Sequence, residues 1–213
     1  MKLFGYWRSS ASYRVRIALA LKNIPYDYEP VNLLKGEQKS DAYLARNPLA
    51  VVPTLETNDG ALITQSMAII EYLDEEYPET TLLPGNAVAR ANARAIAQTI
   101  ACEAQPFGNL RIQKYLRETS GFDDQAMSNW MNTWPGGAMK AAEKIINRTG
   151  GDFCVGDTPS LADCILVPQM FASLRFGVDI SQMPRLNEIN ERCLKHPAFI
   201  KAHPDNQPDA VKS

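Results

Sequence analysis

The architecture of the N-terminal part follows from residues 51–66, which read VVPTLETNDGALITQS. Two short apolar runs, at Thr54-Leu55-Glu56 and at residues 61–64, flank the turn Asn58-Asp59-Gly60. A turn of this composition between two apolar runs predicts a β-hairpin. Pro53 stands where the first strand begins, a position at which its missing N–H removes no hydrogen bond from the sheet. These residues therefore predict the antiparallel end of a β-sheet.

A helix is predicted directly after the hairpin. Ser66 is a favoured N-cap residue, and Met67, Ile70 and Leu73 recur at the spacing of one apolar helix face. Before the hairpin, strand-like and helix-like runs alternate, and a helix that crosses between two strands requires those strands to be parallel. The predicted order is β-α-β-α-β-β-α, with the earlier elements at Leu3 to Tyr6, Ser12 to Asn23, Tyr26 to Glu29 and Lys35 to Ala45.

The character of the sequence changes at Leu82-Leu83-Pro84-Gly85, after which no strand pattern persists. Pro106 lies inside the first long helical pattern and is expected to kink that helix or to cost it a hydrogen bond. Ser160 and Asp163 match the capping-box pattern at the start of a later helix. At the other end of this region, the final dozen residues are expected to fray. Helices are predicted at residues 87–118, 124–148, 161–176 and 186–194, so the sequence predicts two domains, residues 1–82 of α/β type and residues 83–213 all helical.

Composition narrows the functions open to this 213-residue chain. Lys and Arg number 22 against 24 Asp and Glu, a net charge of −2, which argues against nucleic acid or an anionic membrane as a partner. No apolar run approaches the roughly 20 residues that a bilayer span requires, and charge appears too early for a signal peptide. A cytoplasmic protein is therefore expected. Four widely spaced cysteines and two histidines in the C-terminal tail support neither a metal site nor a Ser-His-Asp hydrolase.

Three segments carry residue types suited to binding a small ligand. Arg8-Ser9-Ser10-Ala11-Ser12 lies at a predicted helix start, where amides and the positive end of the helix hold anions and lower the pKa of a thiol. Val52 precedes Pro53, and if the peptide bond between them is cis, its backbone can pair with a bound peptide. Gln65-Ser66, at the next helix start, suits a carboxylate. Each segment also has a purely structural interpretation, as a helix cap or a strand-entry proline.

Four stretches carry a family pattern: SSASYRVRIAL at residues 9–19, Asn47-Pro48, Val52-Pro53-Thr54-Leu55, and QSMAIIEYL at residues 65–73. Together they resemble the zeta-class glutathione transferases. The serine-rich start that runs into RVRIAL is the specific part, and the similarity continues to Gln207-Pro208-Asp209. The resemblance implies a glutathione transferase-like architecture, an α/β thioredoxin-like N-terminal domain plus an all-α C-terminal domain.

The resemblance also implies glutathione as the cofactor and assigns residues to it. Ser9 would face the glutathione sulfur and is, with Ser10, a candidate catalytic residue. Gln38 would reach the glycine end, Val52 would pair with the cysteinyl backbone, and Gln65-Ser66 would hold the γ-glutamyl carboxylate. The implied glutathione-binding residues are Ser9, Ser10, Ala11, Ser12, Tyr13, Arg14, Gln38, Val52, Pro53, Gln65, Ser66, Gln105, Asn109, Leu110 and Arg111.

The implied activity is the glutathione-dependent cis–trans isomerisation of a maleyl-type dicarboxylate from aromatic-ring breakdown, as in tyrosine degradation. Maleylacetoacetate is the expected substrate and maleylpyruvate the second candidate. A transferase that conjugates or dehalogenates small α-halo acids is a competing hypothesis, and a non-enzymatic glutathione-binding module is a third. The family usually has Cys where this chain has Ala11, which puts in doubt any route that needs a second thiol but leaves a route through Ser9 untouched. The resemblance further implies a homodimer.

A dicarboxylate substrate needs cationic partners, because unpaired charges in a closed pocket are strongly unfavourable. Arginine suits this role, since its planar fork matches a carboxylate and stays charged. The resemblance implies that Arg8 and Arg175 face the substrate, with Arg111 as a further candidate. The competing interpretation is that all three are solvated surface arginines.

Overall fold

The computed structural model describes residues 1–211, which form two compact units. Of the described residues, the first unit holds Met1–Leu82 together with residues 195–211, and the second holds Leu83–Leu194. The first unit thus includes a C-terminal segment that the sequence pattern assigns to the helical domain.

The first unit is built on a mixed sheet with strand order β2-β1-β3-β4. Leu3 of β1 lies opposite Tyr28 in the parallel partner β2 and opposite Leu55 in the antiparallel partner β3. Leu3 and Leu55 are fully buried, and the helices α1 and α3 pack on each other. The elements are β1 (Lys2–Gly5), α1 (Ser10–Leu21), β2 (Asp27–Pro30), a 3-10 helix (Glu37–Lys39), α2 (Asp41–Leu44), β3 (Thr54–Glu56), β4 (Leu62–Thr64) and α3 (Ser66–Glu76). The predicted α/β order is confirmed.

The second unit is helical throughout its regular structure. Its centre is α7, whose residues 161–170 are all buried, and α4 packs against both α6 and α7. This unit comprises α4 (Ala87–Glu103), α5 (Leu110–Glu118), α6 (Asp124–Thr149), α7 (Leu161–Arg175) and α8 (Pro184–Leu194). Among the described residues, no helix has both the length and the apolar character needed to cross a bilayer.

The first predicted helix of this unit is two helices, so the expectation of one kinked helix is wrong. α4 ends at Glu103, Pro106 lies in the interruption, and α5 begins at Leu110. Proline has no N–H to donate, and its ring clashes with the carbonyl four residues earlier. Asn109 then starts a new helix as its N-cap, accepting a 3.1 Å hydrogen bond from the amide of Arg111 through Oδ1.

The C-terminal tail is ordered as far as residue 211, so the expectation of fraying is wrong for residues 202–211. Residues 212 and 213, which the same expectation covered, lie outside the described residues. A helix α9 (Pro197–Ala202) packs on α1, and a 3-10 helix (Pro204–Asn206) follows it. Further along, Asp209 accepts hydrogen bonds from Trp7 and Tyr28. The sequence predicted fraying because local composition does not show these partners, which lie 202 and 181 positions away.

The predicted capping box at the start of α7 is present and fully buried. One carboxylate oxygen of Asp163 accepts hydrogen bonds of 2.8 Å from both the amide and the hydroxyl of Ser160. The other oxygen accepts from the amide of Cys154 at 2.9 Å. Burial raises the pKa of Asp163, while the hydrogen bonds from Cys154 and Ser160 oppose that rise. One side chain therefore satisfies two buried backbone amides.

Replacing Asp163 by Ala is expected to lower the free energy of unfolding by about 3 to 5 kcal/mol, because two buried amides and one hydroxyl lose their acceptor. Urea unfolding monitored by circular dichroism measures the loss. The control is Asp124→Ala, which removes an exposed carboxylate paired with Arg117 and is expected to cost less than about 1 kcal/mol. Similar losses in the two variants would contradict a special role for the capping box.

Candidate active site

The N-terminus of α1 presents two hydroxyl groups, from Ser9 and Ser10. Ser9 is the N-cap, and its Oγ accepts a 3.2 Å hydrogen bond from the amide of Ser12. A hydroxyl that accepts a hydrogen bond keeps its own proton to donate. Ser9 and Ser10 are half-buried, and both lie at the positive end of the helix dipole. This end of α1 can therefore hold an anion and donate a hydrogen bond to it.

The side chains of Ser12 and Tyr13 point into the fold. The resemblance implies that both residues bind glutathione, and for Tyr13 it implies contact through the backbone and the helix start rather than through the side chain. Ser12 is fully buried, and its Oγ accepts from the amide of Tyr6 at 3.3 Å. Tyr13 is 1% exposed and packs edge-on against His203, with ring centroids 6.0 Å apart. These two side chains serve the fold, while Ala11 lies half-buried in the first helical turn.

The start of α3 differs from its prediction at Ser66. The N-cap position is held by Gln65, which makes no side-chain cap, and Ser66 is the first residue of the helix. The Oγ of Ser66 instead accepts a 3.2 Å hydrogen bond from Nη1 of Arg14, a residue that is 3% exposed. A buried guanidinium requires acceptors, so the hydroxyl is engaged across the unit rather than along its own helix.

This arrangement makes the start of α3 favourable for a carboxylate. The buried charge of Arg14 lies next to Ser66, and the helix dipole adds positive potential in the same place. Gln65 is exposed, and its backbone has φ 69°, a left-handed conformation uncommon for a residue with a side chain. The sequence indicated a carboxylate site here but did not reveal the contribution of Arg14.

The loop before β3 is held by two side chains that the site prediction missed. The hydroxyl of Tyr43 and the amide nitrogen of Asn47 both donate to the carbonyl of Val51, at 2.9 and 2.8 Å. Both also reach Oγ1 of Thr54, at 3.1 and 3.3 Å. Burial raises the pKa of Tyr43, so its hydroxyl keeps its proton. In the sequence these two residues were marked only by the Asn47-Pro48 pair of the family pattern, which does not show what they bind.

In the same loop, the amide and the carbonyl of Val52 are available to hydrogen-bond a ligand. The Val52-Pro53 peptide bond is cis. Within the described residues, neither the amide nor the carbonyl of Val52 makes a hydrogen bond. Unpaired backbone groups beside a sheet are the feature to which an extended peptide adds as an extra strand.

Gln38 and Arg8 lie elsewhere in the first unit. Gln38 belongs to the 3-10 helix Glu37–Lys39, and its Oε1 is a buried acceptor with no partner among the residues described. Arg8 directly precedes Ser9, and its guanidinium lies over the ring of Trp7, 4.2 Å from the ring centroid. Arg8 is half-buried, which leaves its charge accessible.

The remaining predicted residues belong to the second unit. They do not share one long helix, because Gln105 lies in the interruption between α4 and α5 and Asn109 caps α5. Leu110 and Arg111, both exposed, form the first turn of α5. Arg175 ends α7, and its guanidinium lies 5.0 Å from the ring centroid of Phe176.

Known proteins similar to this chain place it in a family. Residues 8–76 match the family model described as glutathione S-transferase, N-terminal domain. Over 211 residues, covering 98% of both chains, the sequence is 45% identical to maleylacetoacetate isomerase of Pseudomonas aeruginosa. The chain therefore belongs to the glutathione transferase family, as its motifs indicated.

Two solved structures resemble this chain over nearly its full length, and the first of them is described as a zeta-class protein. The first, described as a holo structure of maleyl pyruvate isomerase, a bacterial glutathione S-transferase of the zeta class, has a TM-score of 0.94 and 42% identity, covering 99% of this chain and 100% of that one. The second is maleylacetoacetate isomerase from Anaeromyxobacter dehalogenans 2CP-1 with bound dicarboxyethyl glutathione and citrate, with a TM-score of 0.88 and 42% identity over 99% of this chain and 97% of that one. The predicted glutathione transferase-like architecture is confirmed.

The hydrogen bond between Arg14 and Ser66 should contribute measurably to stability. Replacing Ser66 by Ala removes an acceptor from a buried charged group and is expected to cost about 1.5 to 3 kcal/mol. The matched control is Ser10→Ala at the half-buried start of α1, which is expected to cost about 0.5 kcal/mol or less. Urea unfolding of both variants tests this, and equal costs would mean that Ser66 acts only as an ordinary helix-start serine.

Proposed function

We propose that this protein is a glutathione-dependent cis–trans isomerase of a maleyl-type dicarboxylate. Maleylacetoacetate is the preferred candidate substrate. The observation that carries the proposal is the hydroxyl of Ser9, which keeps a proton to donate at the positive end of α1. The names of the similar proteins, maleylacetoacetate isomerase and maleyl pyruvate isomerase, agree with this chemistry.

The first unit has the polar groups that glutathione requires. The amide and carbonyl of Val52 fit the cysteinyl backbone, and the start of α3 fits the γ-glutamyl carboxylate through Gln65, Ser66 and the charge of Arg14. The buried Oε1 of Gln38 offers an acceptor toward the glycine end. Pro53 shapes this loop, and the backbone of Ser10, Ala11, Ser12 and Tyr13 lines the start of α1.

Bound glutathione supplies a thiolate that adds to the conjugated double bond of the substrate and leaves after rotation. Ser9 stabilises the sulfur anion by donating its hydroxyl proton as a hydrogen bond. The dipole of α1 acts in the same direction, and Ser10 offers a second donor at the same helix end. The protein thus lowers the thiol pKa without a second thiol, which is consistent with Ala11.

Arginine side chains are proposed to hold the substrate carboxylates. The guanidinium of Arg8 is oriented by its contact with the ring of Trp7. Arg175 is the last residue of α7, and the helix dipole favours a positive charge at this C-terminal end. Arg111 is a third candidate because it is exposed at the start of α5. Gln105, Asn109 and Leu110 stay candidate glutathione-binding residues because the family resemblance implies them.

A turnover assay tests the proposal and separates it from the competing functions. Maleylacetoacetate and maleylpyruvate are supplied separately with glutathione in catalytic amount. Isomerisation of these acids consumes no glutathione, whereas conjugation consumes one molecule per turnover. A parallel assay with a small α-halo acid tests the halide displacement that the competing transferase would catalyse. Maleylpyruvate is the second candidate substrate because the structure with a TM-score of 0.94 is a maleyl pyruvate isomerase. Glutathione binding without turnover of either acid would identify a binding module instead.

A homodimer and a cytoplasmic location also belong to this proposal. Ala87, Ala91 and Ala95 are exposed at four-residue spacing on α4, and such a face lets another helix approach closely. The cysteines are free thiols, as expected in a reducing compartment.

Replacing Ser9 by Ala is expected to raise the thiol pKa of bound glutathione by about one to two pH units, because a hydrogen bond to a charged group contributes about 1.5 to 3 kcal/mol. Turnover should slow while glutathione affinity changes little. Ultraviolet titration of the thiolate measures this pKa. Gln65→Ala is the contrasting variant, expected to weaken glutathione binding and to leave the thiol pKa nearly unchanged. An unaltered pKa in Ser9→Ala would transfer the role to Ser10 or to the helix amides.

Replacing Arg8 or Arg175 by Ala is expected to raise KM for the maleyl acid by about 10- to 100-fold, because each change removes one charged partner of a carboxylate. Glutathione affinity should be unaffected. The control is Arg148→Ala, an exposed arginine on α6. A monoamide or diester of the substrate should respond far less to the two substitutions. Equal losses for the acid and its neutral analogue would mean that these arginines only support the fold.

A further inference from the structure

The backbone leading from β1 to Ser9 is held mainly by side chains rather than by the sheet. β1 ends at Gly5, and Tyr6 and Trp7 follow it. The amide of Tyr6 donates to Ser12, and the carbonyls of Tyr6 and Trp7 accept from Arg16 at 3.4 and 3.0 Å. The amide of Ser9 also donates to the carbonyl of Tyr6 at 3.0 Å, so the path of this segment depends on those side chains and on this one backbone hydrogen bond.

The amide of Trp7 is bound by a residue at the far end of the chain. It donates to Oδ2 of Asp209 at 3.0 Å, across 202 positions in the sequence. The same oxygen accepts from the hydroxyl of Tyr28 in β2 at 3.2 Å. Burial raises the pKa of Tyr28, so this hydroxyl remains a donor. Asp209 therefore joins the segment before Ser9 to the neighbouring strand.

Arg16 joins the same segment to the C-terminal tail. Arg16 is 1% exposed, and its Nε donates to the carbonyl of Ala202 at 3.1 Å. Burial lowers the pKa of Arg16, and the negative charge of Asp209 is among the influences that oppose this. The tail is held in turn by Gln207, which donates to the carbonyls of Lys201 and His203 at 3.1 and 2.9 Å.

We propose that Asp209 is a positioning residue, which fixes the Tyr6–Trp7 segment together with Arg16 and thereby orients Ser9 and Arg8 toward their ligands. This inference rests on the proposed function, since it assigns Ser9 to the glutathione sulfur. Trp7 connects Asp209 to the candidate site. Its amide donates to Asp209, its ring contacts the guanidinium of Arg8, and it lies two residues before Ser9. A displacement of a reacting group by about 1 Å is enough to slow an enzyme about 100-fold.

A purely structural role for Asp209 predicts a different outcome. A tail that only stabilises the fold would change the melting temperature and the folded fraction, but each folded molecule would keep its thiol pKa and kcat. A positioning role changes both quantities in the folded protein. It leaves the glutathione dissociation constant nearly constant, because the carboxylate binds Trp7 and Tyr28 and these two residues are outside the set proposed to hold the peptide.

The test compares Asp209→Ala, Asp209→Asn and the control Asp205→Ala in the full chain. Asp205 is an exposed acid of the same tail, and its side chain lies beside His203. Asp209→Ala is expected to lower kcat by about 10- to 100-fold and to raise the thiol pKa of bound glutathione. Asp209→Asn, which retains one acceptor oxygen, should give an intermediate change, and Asp205→Ala should leave kcat and the thiol pKa unchanged.

A double-substitution experiment then asks whether Asp209 acts through Ser9. In the Ser9→Ala background, Asp209→Asn should no longer alter the thiol pKa, because coupled residues are non-additive. Full additivity, or an unchanged thiol pKa and kcat per folded molecule in the single variants, would overturn the proposal. If Asp209→Ala does not fold, Asp209→Asn and Tyr28→Phe, which removes one donor to the carboxylate, carry the same measurements.

The thiolate titration keeps this inference separate from the proposed function. A parent protein that binds glutathione and lowers its thiol pKa, but isomerises neither maleyl acid, would contradict the isomerase proposal. The effect of Asp209 on the thiol pKa would still decide the positioning role. Conversely, isomerase turnover that is unchanged in all Asp209 variants would contradict only the positioning role.

Discussion

The first unit depends on a single constraint, which is that a guanidinium group removed from water must find hydrogen-bond acceptors. Two such groups lie on α1. Arg14 is satisfied in part by Ser66 at the start of α3, and Arg16 collects the carbonyls of Tyr6, Trp7 and Ala202. Because these acceptors lie on different segments, each buried charge ties α1 to distant parts of the chain. The hydrogen bonds that hold α1 in place therefore also fix the segments that form the candidate site.

The same charges give the candidate site its electrostatic character. Both helix starts that carry its polar groups, at Ser9 and at Gln65, already have positive potential from their dipoles. Arg14 adds a full charge beside the second of them, where the sequence showed only an amide and a hydroxyl. A ligand with a thiolate in one place and a carboxylate in another matches this distribution. The net charge of −2 gives no hint of it, because a sum over the whole chain does not show where the cations lie.

The second unit shows how local chemistry shapes the segment that carries the remaining candidate residues. Pro106 ends one helix, and Asn109 begins the next by capping it, so Gln105 lies outside regular helix. The indole Nε1 of Trp130 donates to the carbonyl of Phe107 at 2.9 Å, and the ring of Trp134 stacks on Phe107 with centroids 5.3 Å apart. An aromatic cluster therefore supports the interruption, and neither tryptophan was singled out from the sequence.

The sequence alone determined the order of strands and helices in the first unit, the hairpin at Asn58-Asp59-Gly60, the capping box at Asp163 and the family. Each of these depends on turn chemistry, on apolar periodicity or on a contiguous motif, and such interactions act over a few residues. Only the tertiary structure decided that Ser66 binds Arg14, that Tyr43 and Asn47 hold the loop at Val52, and that Asp209 returns to Trp7. The partners in the Arg14 and Trp7 bonds lie 52 and 202 positions apart. No local pattern predicts which acceptor reaches a buried donor at that range, because packing of the whole unit makes the choice.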